Sequence, residues 1–197
     1  MLKIQNLSKS YSKGNVKAVD NISFEVKPGE IYGFLGPNGA GKTTTIKMIV
    51  GLLKQDSGEI LVDGIDVNKD SLNAKLRMAY VPDNPQIYDK LKGMEYLNFM
   101  ADVYRVSKED RTQRIEKYLK LFSLEDAAND LINSYSHGMK QKIVLTGALL
   151  NDPDLFVLDE PMVGLDPKSA FNIKEVMREM CDRGKSVLHQ QCYPRGP

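Results

Sequence analysis

Residues Gly36-Pro37-Asn38-Gly39-Ala40-Gly41-Lys42-Thr43 constrain this chain more than any other stretch, because they fit the pattern GxxxxGK[ST]. A nearly continuous apolar run, Ile31-Tyr32-Gly33-Phe34-Leu35, precedes them, and an apolar helical run, Ile46 to Leu53, follows. The glycines permit backbone conformations that turn successive N–H groups inward to form an anion nest. The helix that follows aims its positive end at the same point. The pattern therefore reads as a cradle for a nucleoside triphosphate. Lys42 reaches the β- and γ-phosphates, Thr43 offers its hydroxyl to Mg2+, and Thr44 faces the α-phosphate side.

The rest of the chain reads as strands first, then helices, then α/β. Leu2 to Leu7 and Ala18 to Val26 alternate apolar and polar residues, as half-buried strands do. The continuity of Ile31 to Leu35 suits a strand covered on both faces of a parallel sheet. A short strand, Glu59 to Val62, lies between the turn signals Asp56-Ser57-Gly58 and Asp63-Gly64. From Leu91 to Leu150 helix formers dominate. Ile115, Tyr118, Leu119 and Phe122 fall on one helical face, read as core packing. After Asn151-Asp152-Pro153 come a buried strand, Leu155 to Leu158, a helix, Ser169 to Asp182, and a strand, Ser186 to Leu188.

A triphosphate site needs an acid that holds the metal. Asp159 closes the Leu155–Leu158 strand, where an open α/β sheet places ligand residues. Glu160 beside it could polarise and orient an attacking water. At this point the residues resemble a family. Leu155-Phe156-Val157-Leu158-Asp159-Glu160-Pro161 and Gly164-Leu165-Asp166-Pro167 resemble the Walker B segment and D-loop of ABC-type ATPases. Tyr135-Ser136-His137-Gly138-Met139 resembles their signature segment, matching at Ser136 and Gly138 and departing at Tyr135, His137 and Met139. Tyr11 matches the aromatic residue that stacks on adenine in that family. The helix after Ser136 also presents its N-terminus to an anion.

The resemblance implies an α/β fold: a P-loop NTPase with a RecA-like core, an N-terminal antiparallel β-subdomain and an inserted α-helical subdomain. The expected division of residues 1–197 is about 1–82 and 151–190 for the β-subdomain and core, and about 83–150 for the helical subdomain. It further implies ATP and Mg2+ as cofactors, and a head-to-tail homodimer in which Ser136 and Gly138 contact the γ-phosphate held by the opposite copy. Its partner would be an integral-membrane transport subunit, met by the helical middle, especially Asp83 to Ala101. The chain would then be cytoplasmic and peripheral at the inner face of the cell membrane. Asp83-Asn84-Pro85-Gln86-Ile87-Tyr88 resembles the exporter-type branch.

Two positions depart. Asp83 stands where the family has a metal-touching glutamine; its carboxylate is still a hard oxygen ligand. The family's switch histidine falls on Cys192, and His189 comes too early, as an exposed polar residue. The run from about 189 to 197 reads as an unstructured tail of a domain cut short, which puts hydrolysis in doubt.

Composition bounds the alternatives. With 27 Lys+Arg against 26 Asp+Glu the net charge is +1, so no bulk electrostatic attraction to nucleic acid is expected. Two cysteines, Cys181 and Cys192, form no disulfide framework or zinc pattern. No apolar run approaches the ~20 residues that span a bilayer. A hydrolysing transporter subunit leads. The alternatives are a hydrolysis-impaired nucleotide-binding module and a soluble ABC-type ATPase with no membrane partner.

Overall fold

A computed structural model describes residues 1–11, 16–84 and 87–192, the last two as backbone only. In chain order the elements are β1 (Leu2–Tyr11), β2 (Val16–Val26), β3 (Ile31–Gly36), α1 (Lys42–Ile49), β4 (Ser57–Val62), β5 (Ile65–Asp66), α2 (Ser71–Leu76) and β6 (Met78–Val81). There follow α3 (Gly93–Val103), α4 (Lys108–Phe122), α5 (His137–Leu149), β7 (Leu155–Asp159), α6 (Pro167–Asp182) and β8 (Ser186–Cys192). The chain divides into two compact units. The first comprises Met1–Tyr80, Asp154–Glu160 and Met177–Pro197, the second Val81–Pro153 and Pro161–Val176.

Two four-stranded sheets build the first unit, one ordered β2-β1-β4-β5 and one ordered β3-β8-β7-β6. β1 is antiparallel to both β2 and β4, whereas β8 runs parallel to both β3 and β7. Helix α1 supplies Ile46, Met48 and Ile49 to a core shared with Leu2, Ile4 and Leu7 of β1, Ile60 and Val62 of β4, Leu155 and Val157 of β7, and Leu188 of β8. Each such side chain contributes roughly 1.5–3 kcal/mol relative to leaving it in water. Leu7 breaks the simple alternation of β1, since Leu2 and Ile4 point inward two apart but Leu7 follows three later. A bulge at Asn6, at φ 49°, absorbs the extra residue: the register steps from Ile4↔Phe24 to Leu7↔Ile22 on one side and from Gln5↔Glu59 to Ser8↔Ser57 on the other.

The second sheet departs from the sequence reading at one edge. β7 is buried along its whole length, as expected of a central strand. β3 is not covered on both faces. It is an edge strand of its sheet, and Ile31 and Leu35 are 42% and 61% exposed. Its other face carries Tyr32 and Phe34, which form an aromatic cluster with Phe24 of β2 at centroid distances of 5.1–5.7 Å. Continuity of apolar residues therefore marked a strand but not its surroundings. Helix α1 also differs, opening at Lys42 and ending at Ile49 rather than spanning Ile46 to Leu53. Gly51, at φ +69°, turns the chain out and donates its N–H to the Met48 carbonyl at 3.1 Å.

Among its described residues the second unit is helical apart from loops, a 3-10 turn at Ile132–Ser134 and an isolated bridge between Lys92 and Leu131. Helix α4 starts at a serine cap, Ser107, whose hydroxyl accepts from the Asp110 N–H at 3.1 Å. Its buried residues are Ile115, Tyr118, Leu119 and Phe122, the stripe read from the sequence. Helix α5 is buried all round from Ile143 to Leu149. The Arg114 guanidinium of α4 donates to the Leu150 carbonyl at its end, 2.7 Å away.

Phe122 is fully buried. Phe122→Ala should destabilise the protein by about 3–5 kcal/mol, read as a lower urea midpoint at unchanged slope.

Candidate nucleotide-binding site

The site is built where β3 hands over to α1. Gly36 closes the strand, and Gly41 caps the helix in the left-handed region at φ 81°. A side chain at Gly41 would place its Cβ 2.2 Å from the Ala18 carbonyl of β2, so backbone meets backbone there and only glycine fits. The first intrahelical bond runs from the Thr45 N–H to the Gly41 carbonyl at 2.8 Å. The N–H groups of Lys42, Thr43 and Thr44 precede it and have no partner within the helix. These amides, with the positive end of α1, form the anion-binding end of the loop. Pro37, Asn38, Gly39 and Ala40 form its exposed rim, turned by an Ala40 N–H bond to the Pro37 carbonyl at 3.3 Å. Lys42 folds over the loop: its ammonium donates to the Gly36 carbonyl at 2.6 Å and the Pro37 carbonyl at 2.9 Å. The cation thus lies within the ring of loop atoms.

Asp159 ends β7 and is 1% exposed. Its register partner on β8 is Gln190, 3% exposed, and the Gln190 side-chain amide N–H donates to the Thr43 hydroxyl at 3.0 Å. Thr43 and Asp159 are therefore linked through one residue and offer the hard oxygen donors that Mg2+ takes. The residues present fit that ion. Glu160 follows at φ 50° and donates its N–H to the Gln190 carbonyl at 3.3 Å. Tyr11 sits at the end of β1, opposite Val16 and 42% exposed. Asp83 belongs to the second unit. It is exposed, and its carboxylate accepts from the Asn84 N–H at 2.7 Å.

Ser136 and Gly138 also lie in the second unit, at the start of α5. Ser136 is its cap, accepting from the Met139 N–H at 3.3 Å and keeping its hydroxyl proton to donate. Gly138 packs so closely on the 161–166 loop that a Cβ would stand 2.6 Å from the Gly164 carbonyl. The departures from the family pattern have local uses. Tyr135 is buried, donating its hydroxyl to the Ala127 carbonyl at 2.6 Å, and His137 lays its ring against Gly164. Behind them the Lys142 ammonium pairs with Asp166 at 2.6 Å, while Asp166 caps α6 by accepting from the Ser169 N–H and hydroxyl.

The C-terminal expectation needs correction. Residues 189 to 192 are not a loose tail: β8 continues to Cys192, pairing with β3 as far as Gly36↔Cys192. Residues 193–197, the rest of the expected tail, lie outside the described residues. His189 is half-buried against Gly33 rather than exposed, and burial pushes its imidazole below the ordinary value. Polar residues in the run His189-Gln190-Gln191 masked a strand that the neighbouring β3 and β7 stabilise. Gln190 was missed as a site residue for the same reason, although two-residue alternation from buried Leu188 signals its inward face.

The Lys142 ammonium and the two Ser169 donors hold the Asp166 carboxyl well below the usual carboxylate range. A depressed carboxyl contributes stability above its unfolded pKa and loses it as pH falls toward the folded one. The parent should therefore be more stable than Asp166→Asn at pH 6, and the gap should begin to narrow only as pH falls below about 4, measured by urea unfolding across pH.

Comparison with known proteins agrees with this geometry. A family model described as ABC transporter matches residues 19–163. The SkfA peptide export ATP-binding protein SkfE of Bacillus subtilis (strain 168) is 41% identical over 188 residues, covering 95% of this chain and 77% of that protein. The linearmycin resistance ATP-binding protein LnrL of the same strain is 38% identical over 193 residues, with 98% of this chain but only 61% of LnrL covered. Among solved structures, a dimeric post-hydrolysis ATP-binding cassette bound to ADP and Pi superposes with a TM-score of 0.86 at 28% identity, covering 97% of this chain and 88% of that one. Strand-borne loop, helix cap and paired carboxylates lead to one conclusion: this chain belongs to the ABC transporter family, among its ATP-binding subunits.

Proposed function

We propose that the chain binds Mg-ATP between the Gly36–Thr44 loop and the Asp159-Glu160 strand end, hydrolyses it, and so energises a separate integral-membrane subunit. The observation that carries the reading is the joint placement of Lys42, the free amides of α1, Thr43 and Asp159 around one strand–helix junction. The amides and the Lys42 ammonium hold the phosphates, and Thr43 and Asp159 hold Mg2+, which when bound neutralises charge developing on the transferred phosphoryl group. Glu160 orients the attacking water. Tyr11 stacks on the adenine. Two copies assemble head to tail, so that Ser136 and Gly138 meet the γ-phosphate of the opposite copy; that a similar cassette with ADP and Pi is dimeric supports the pairing of two copies. Cys192, at the last position of β8, stands where the family has its histidine, so Glu160 carries the water-orienting role.

The name of SkfE, a peptide export ATP-binding protein, favours export from the cell over uptake. On this reading the chain sits at the inner membrane face through its partner. No helix among the described residues is long and apolar enough to cross a membrane. The docking surface falls in the second unit, where Tyr88 and Phe99 are exposed and meet edge to face at 5.7 Å, with exposed Val103 one turn further along α3.

Two measurements test the reading. Mg-ATP at 100 times its Kd should stabilise the parent by about 2.7 kcal/mol, raising its melting temperature by roughly 5–10 °C. Lys42→Ala should abolish that shift, and a variant that shifts as the parent does would remove the loop from the site. Glu160→Gln should slow phosphate release by at least about 100-fold while leaving the Mg-ATP thermal shift in place.

A further inference from the structure

Gln190 is an uncharged side chain buried at the centre of the site, and none of the roles above uses it. Its amide nitrogen donates to the Thr43 hydroxyl at 3.0 Å, and its backbone carbonyl accepts from the Glu160 N–H at 3.3 Å. It faces Asp159 across the parallel ladder, on the same face of the sheet as Val157 and Leu188, which pack toward α1. Its amide oxygen Oε1 is buried and accepts no hydrogen bond among the described residues. A buried amide oxygen without a donor is destabilising, so a carboxamide at this point needs an explanation.

We propose that Gln190 is a positioning residue for the cation, resting on the Mg-ATP reading above. A threonine hydroxyl has two lone pairs and one proton. The Gln190 N–H occupies one lone pair of Thr43 and thereby fixes the direction of the other, which is the one a cation takes. The same side chain brings Oε1, buried and without a donor among the described residues, into the same site. Mg2+ keeps several of its waters when bound to protein, and such a water is the donor that Oε1 lacks. One carboxamide thus orients a direct ligand with its nitrogen and receives the hydration shell with its oxygen.

The experiment measures the Kd of a non-hydrolysable ATP analogue with saturating Mg2+ and with excess EDTA. It also measures the Mg2+ concentration that gives half of the tightening. Gln190→Met keeps the volume and removes both polar ends. It should leave the EDTA affinity within about twofold and reduce the Mg2+-dependent gain about three- to tenfold, the range for one or two net hydrogen bonds. In a Thr43→Ala background the same substitution should cost less than in the parent, because the part of the effect that runs through Thr43 is already gone. Gln190→Glu, which puts a carboxylate beside Asp159, should lower the Mg2+ concentration needed; it keeps the idea testable if the methionine variant does not fold. Equal weakening with and without Mg2+, or an unmoved Mg2+ requirement in both variants, would overturn the role of Gln190. A parent that bound the analogue in neither buffer would overturn the Mg-ATP reading as well.

Discussion

Three amides at the head of α1 precede the first hydrogen bond of that helix, and the surrounding architecture exists to aim them. Left-handed Gly41 makes the aim possible by bringing the helix start against the Ala18 carbonyl of β2, closer than any side chain would allow. The antiparallel sheet is therefore more than a cover for the core, because its second strand sets the position of the phosphate loop. On the opposite side β8 and β7 bring Gln190 and Asp159 up to Thr43. Alignment of a helix dipole, a lysine and a carboxylate on one point follows from strands of fixed register meeting one helix.

Much of this is legible in the sequence. The loop pattern, the buried β7 and the stripe on α4 each rest on local rules: glycine freedom, strand burial and helical periodicity. Sequence reasoning failed where the answer depends on a neighbour. β3 has the composition of a central strand but lies at an edge, a matter of sheet order rather than of its own residues. The end of β8 carries histidine and glutamines, yet extends because parallel partners on both sides satisfy its backbone. Gln190 escaped notice because an uncharged amide has no motif of its own. Its importance comes from what lies opposite it.

The second unit shows how a departure from a family pattern can be absorbed without losing its geometry. Tyr135 departs from the family pattern, and its hydroxyl finds the Ala127 carbonyl while its ring lies close to Gly93. That anchoring leaves Ser136 free to cap α5. Gly138 and Gly164 then allow two backbones to touch, and the Lys142–Asp166 pair closes the same contact from behind. The segment beginning α5 and the loop leading into α6 are consequently held to each other.

The bulge in β1 has a bearing on how such a chain can change length. Asn6 is surplus relative to both flanking strands at once, so its removal would leave every other residue of β1 on the side it now occupies. Dropping a residue anywhere between Leu2 and Ile4 would instead swap inside for outside along part of the strand, sending leucine and isoleucine to water. Gene-level insertions and deletions in this strand are therefore unequal in effect, and position 6 is the one place where parity is already spent.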